Sequence, residues 1–144
     1  MKNFNFPLEK VVNLKEKNRE QAEWAYSKNL QHLNEEKDKL NLLLENKNGL
    51  RRQMQSDQKK GTSIIEIDHS QKYIHYLDQL IQNQQNSIKI LEESLALQLE
   101  ELKTVKVDEK KWLNFREKKW QQYLIEFNQY EQKEMDDLVN KRFK

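Results

Sequence analysis

The chain has 144 residues, 35% of them charged and 35% hydrophobic, with a mean hydropathy of −1.13. That length fits one domain, but the apolar share falls short of the roughly 45–50% of a compact domain, which excludes a thick globular core. The 26 basic and 24 acidic residues nearly cancel, which excludes recognition of nucleic acid by bulk charge.

Cysteine is absent, so disulfides and thiol chemistry do not apply. Met1 to Lys10 lacks the apolar run of a signal peptide. No segment approaches the roughly 20 apolar residues needed to span a bilayer. These features predict a soluble protein made in the cytoplasm. Two glycines and one proline permit long, uninterrupted helices. Three Trp, five Tyr and five Phe weigh against disorder in so polar a chain.

Near the start, Pro7 suits a first helical turn, where its missing N–H would be unpaired anyway. Glu9 follows, where the helix dipole favours an acid. From Leu8 a seam steps through Val11, Lys15, Asn18, Ala22, Ala25, Asn29, Leu33, Glu36, Leu40, Leu43, Lys47, Leu50 and Met54. It predicts a helix over about 8–58, roughly 75 Å long. Gly49 inside it costs about 1 kcal/mol. The polar seam residues Lys15, Asn18, Asn29, Glu36 and Lys47 either fix the register or leave the seam loose enough to reshape against a partner.

The chain breaks at about 59–63, where Lys59-Lys60-Gly61-Thr62-Ser63 stands. Ser63-Ile64-Ile65-Glu66 matches a capping box, with Asp68 or Ser70 as alternative caps. The second helix is predicted over about 64–142. Its seam alternates steps of three and four through Ile74, Leu77, Ile81, Gln84, Ile88, Leu91, Leu95, Gln98, Leu102, Val105, Glu109, Trp112, Arg116, Lys119 and Tyr123. A period near 3.5 marks a helix that buries one narrow stripe against another helix. Such a helix needs that partner to be stable in water.

A short connection makes two long helices antiparallel neighbours. The expected fold is therefore all-α: one antiparallel coiled-coil hairpin, its second helix longer and overhanging at the C-terminus. The overhang would hold Phe127, Tyr130, Met135, Leu138 and Phe143, with a basic end from Lys141 to Lys144. A two-helix seam cannot bury every aromatic residue, and the exposed ones are candidate partner contacts.

No catalytic constellation stands out. His32, His69 and His75 form no metal-ligand spacing, no Ser–His–Asp arrangement is visible, and two glycines cannot build a phosphate-cradling loop. A two-helix hairpin also offers no walled pocket. The expectation is a non-enzyme without catalytic residues, metal or cofactor. The basic pairs beside Trp112 and Trp120 have acidic residues interleaved throughout, so they read as a solvated face rather than a nucleic-acid surface.

The chain resembles the FliJ family, a small soluble component of the bacterial flagellar type III export apparatus. The resemblance covers nearly the whole length. It rests on the opening Phe4-Asn5-Phe6-Pro7-Leu8-Glu9-Lys10-Val11-Val12. It continues through a central glycine to Tyr73-Ile74-His75-Tyr76-Leu77-Asp78-Gln79-Leu80-Ile81-Gln82-Asn83-Gln84. It closes on Trp112, Glu117-Lys118-Lys119 and Gln132-Lys133-Glu134-Met135-Asp136-Asp137.

The resemblance implies a stalk-like coiled coil, similar to the γ subunit of rotary ATP synthases, that enters a hexameric export ATPase, FliI, and promotes its assembly and activity. It also implies contact with the export gate protein FlhA, cycling of substrate-specific export chaperones, and a place at the cytoplasmic face of the membrane at the flagellar base. Carried over by position, the gate patch comprises Lys39, Leu43, Asn46, Leu50, Tyr73, Leu77, Leu80 and Gln84. This chain departs from the family at Asn46 and Leu50, where aromatic residues are common. The ATPase contact is assigned to paired ends: Phe4, Phe6, Leu8 and Val11 with Met135, Leu138, Arg142 and Phe143. Two other readings stay open: an export chaperone that does not act on the ATPase, and a coiled-coil spacer or equivalent stalk of another secretion or V-type ATPase system.

Overall fold

The structure, a computed structural model, describes residues 3–142. Nearly all of them lie in two helices, α1 at Glu9–Lys60 and α2 at Ile64–Arg142. No strand occurs among the described residues, and the helices pack on each other as an all-α hairpin.

Local chemistry sets the turn. Gly61 has φ +86°, a left-handed value that suits the residue after a helix end because glycine has no Cβ to clash. Its N–H donates to the Gln58 carbonyl at 3.4 Å. Ser63 caps α2: its Oγ accepts the Glu66 N–H at 3.2 Å. The reciprocal arm of the capping box is replaced, since the Glu66 carboxylate accepts from the Thr62 hydroxyl at 2.6 Å. α1 thus continues through Lys59 and Lys60, two residues past the predicted boundary, with both cations in its last turn.

The chain divides into two units, Trp24–Glu100 and Met1–Glu23 with Glu101–Lys144. In the first, Leu33, Ile88 and Leu95 form a buried cluster, and Tyr26, Leu40 and Leu91 pack against it. Leu77, 2% exposed, and Ile81 are buried too. Burying each such side chain stabilises by about 1.5–3 kcal/mol. Polar seam residues meet polar partners. The Asn29 amide donates to Gln98 Oε1 at 2.9 Å. The Gln84 amide donates to the Glu36 carbonyl at 2.9 Å and to its carboxylate. Lys47 pairs with Asp78, and Lys37 reaches Glu92 at 3.5 Å. A seam of matched polar pairs specifies register, because sliding one helix past the other strands groups that must otherwise be hydrogen-bonded.

The second unit holds Val12, Leu102 and Phe6 as its buried residues. Ion pairs cross between its helices, among them Glu9–Arg116 at 2.7 Å, Lys15–Asp108 at 2.7 Å and Arg19–Glu109 at 2.8 Å. Lys106 also reaches Glu23 at 3.5 Å.

The α1 seam differs from the one traced from Leu8. Leu8 and Asn18 are exposed, Val12 rather than Val11 is the buried valine, Arg19 takes the seam position, and Tyr26 packs on the core cluster. The resulting path through Val12, Lys15, Arg19, Ala22, Tyr26, Asn29 and Leu33 alternates steps of three and four without a break. Its cations are seated by acidic partners on α2, a relationship invisible to a local hydropathy pattern. Past Phe127, every described residue of α2 is exposed.

Candidate functional site

Two surfaces stand out, one in each unit. In Trp24–Glu100, the packed helices leave a groove of about 440 Å³ lined by Lys39, Leu42 and Leu43 of α1 and Leu80, Asn83, Gln84 and Ser87 of α2. Its floor is built from the seam itself. Gln84 is held by its two hydrogen bonds to Glu36, and Lys39 Nζ donates to the same carboxylate at 3.0 Å. The Gln84 hydrogen bond, and then Lys39, hold the Glu36 carboxyl below the usual range. On α2, Asp78 is held low chiefly by its hydrogen bond to Lys47.

Four of the eight gate-patch residues, Lys39, Leu43, Leu80 and Gln84, line this groove. Tyr73 is exposed and lies 6.1 Å from Tyr76, centroid to centroid. Asn46 is exposed and Leu50 half-buried, while Leu77 is a core residue with almost no surface to offer. Sequence reasoning missed Leu42, Asn83 and Ser87. Leu42 carried a usable signal: it is a leucine off the seam, and it is 60% exposed.

In the terminal unit, the residues before α1 fold onto an aromatic surface of α2. The Phe4 ring lies 5.0 Å from Trp120 and 5.4 Å from Tyr123, and Phe6 lies 5.8 Å from Phe115. Trp120, Tyr123 and Phe127 continue the stack at 5.5 and 6.0 Å. Such pairs add about 0.5–1.5 kcal/mol each beyond area burial. Two shallow grooves open here, one beside Phe4, Phe115 and Tyr123, the other beside Leu8, Trp112 and Phe115.

The described residues assigned to the ATPase contact fall in two separate places on α2. Phe4 and Phe6 find their partners between Phe115 and Tyr123, whereas Met135, Leu138 and Arg142 lie further along α2 and are exposed. Tyr123 and Met135 are separated by about 18 Å of helix rise. The physical reason is that aromatic rings at 115–127 offer Phe4 and Phe6 more apolar contact than the charged stretch around Met135. Phe6 is itself buried, Leu8 lines a groove and Val11 is half-buried. Phe143 lies outside the described residues.

Among the described residues, no group of three or more His, Cys, Asp or Glu is placed to hold a metal ion. No helix among them is long and apolar enough to cross a membrane. The family model described as Flagellar FliJ protein matches residues 4–144. The chain belongs to the FliJ family. No curated protein and no solved structure gives a significant match. As a FliJ-family member the chain is a component related to flagellar export.

Proposed function

We propose that this FliJ-family chain binds the hexameric export ATPase FliI through its terminal unit and the export gate protein FlhA through the groove of its other unit. Through those two contacts it promotes assembly and activity of the ATPase ring and couples it to the gate. Substrate-specific export chaperones are further partners, and the site of action is the cytoplasmic face of the membrane at the flagellar base. The observation that carries the reading is the bare end of α2. Met135 and Leu138 are each 65% exposed and Val139 50%, on a stretch where no described residue is buried. Apolar side chains kept in solvent along a helix mark a surface that a partner covers.

The test is ATP hydrolysis by the purified export ATPase, titrated with this protein, with ring assembly followed by light scattering. The expected result is a rise in rate with hexamer formation at roughly one chain per ring. Met135→Asp/Leu138→Asp should abolish the rise, and Leu42→Asp should leave it intact while weakening gate binding. A flat rate without association would sink the ATPase contact and leave an export chaperone acting elsewhere.

A further inference from the structure

α2 carries a second heptad stripe that the hairpin does not use. Starting at Tyr73 and alternating steps of three and four to Leu97, none of the eight positions is charged, in a chain where 35% of residues are. The stripe lies on a different face from Leu77, Ile81, Ile88 and Leu95, which are buried in the hairpin seam. Tyr73 and Tyr76 are each 52% exposed, Ile90 66% and Leu97 70%. Leu42 of α1 extends the apolar edge, because it lines one groove with Leu80, Asn83 and Ser87.

We infer that this face pairs with the same face of a second copy of the chain, antiparallel, about an axis near Gln85. The order of side chains is complementary to its own reverse. Tyr73 falls opposite Leu97, Tyr76 opposite Ser94, Leu80 opposite Ile90 and Asn83 opposite Ser87. Large side chains thus meet small or apolar ones, and the two polar residues meet at the centre. The flanking charges choose the direction. In a parallel pair Lys72, Glu93 and Glu100 would face Leu77, Gln98 and Val105 and find no charged partner. The antiparallel pair sets Lys72 beside Glu100 and Glu93 beside Gln79. The stripe spans about 36 Å of helix, some three and a half heptads, enough to sustain a coiled-coil pairing. Because it includes Tyr73 and Leu80, pairing covers part of the gate patch. The inference does not depend on that patch binding the gate.

Sedimentation equilibrium on the full chain tests it. The expected mass rises from 17.6 kDa toward twice that value with concentration, and Ile90→Glu/Leu97→Glu stays monomeric with unchanged helix content by circular dichroism. The chain has no cysteine, so introduced thiols report geometry. An equimolar mixture of Leu80→Cys and Ile90→Cys chains should cross-link under mild oxidation. Ile90→Cys alone should not, since its two copies stand about 15 Å apart along the axis, beyond disulfide reach. A mass fixed at 17.6 kDa, association that survives the double glutamate variant, or cross-linking by Ile90→Cys alone would overturn the inference.

Discussion

Arg19 Nε donates to both carboxylate oxygens of Glu109, at 2.9 and 2.8 Å, across ninety residues of sequence. Arg19 Nη1 also donates to Glu23 at 3.0 Å. Hydrogen bonding to Glu109 raises the Arg19 pKa, so the guanidinium stays charged at any ordinary pH. The pair occupies the seam where a leucine would otherwise sit, and it carries register information that a leucine would lack.

Reversing one member should therefore hurt more than reversing both. Arg19→Glu is expected to lower the melting temperature by setting two carboxylates together, and Arg19→Glu/Glu109→Arg to recover much of the loss. Thermal melts by circular dichroism check this. Equal losses in the single and double variants would mean that the pair does not act as a unit.

The two glycines should respond in opposite directions to alanine. At Gly61 the φ of +86° is a region that alanine adopts with strain, and Gly61→Ala is expected to destabilise by about 1–2 kcal/mol. At Gly49 an added Cβ meets nothing within 4 Å inside α1. Gly49→Ala should stabilise by about 0.5–1 kcal/mol through helix propensity and reduced freedom of the unfolded chain. Urea unfolding of both variants measures the difference.

Leu77 separates the core from the groove. Because it is 2% exposed, Leu77→Ala should cost about 2–4 kcal/mol in chemical denaturation. The exposed Leu42 should tolerate Leu42→Ala with a change under about 0.5 kcal/mol. A gate-binding assay on both, read beside their stabilities, would show whether Leu77 acts on a partner other than by holding the fold.

Acid should loosen the Trp24–Glu100 unit. Glu36 is held low by the Gln84 hydrogen bond and then by Lys39, and Asp78 by its hydrogen bond to Lys47. A carboxyl whose folded pKa is depressed adds stability above its unfolded value, near about 4, and that stability is lost as pH falls through the folded value. Melting temperature should drop below about pH 4. Glu36→Gln/Asp78→Asn should start lower at neutral pH and fall less on acidification. Parallel curves for the two proteins would contradict this.

The sequence by itself determined the helical hairpin. Few glycines, one break before a capping serine, and the long apolar seam of α2 left few other folds. From Ile74 to Arg116 every seam residue read from spacing is at least partly buried. These signals are local, because helix period, capping and turn chemistry are written in neighbouring residues. Tertiary structure alone decided which α1 residues face inward. Lys15 and Arg19 are seated because Asp108 and Glu109 stand opposite them, and no pattern within α1 encodes that. It also decided that Phe4 and Phe6 stack on Phe115, Trp120 and Tyr123, leaving Met135 and Leu138 bare. Burial of a polar or terminal residue depends on what the other helix brings to it, and that pairing exists only after the chain has folded back on itself.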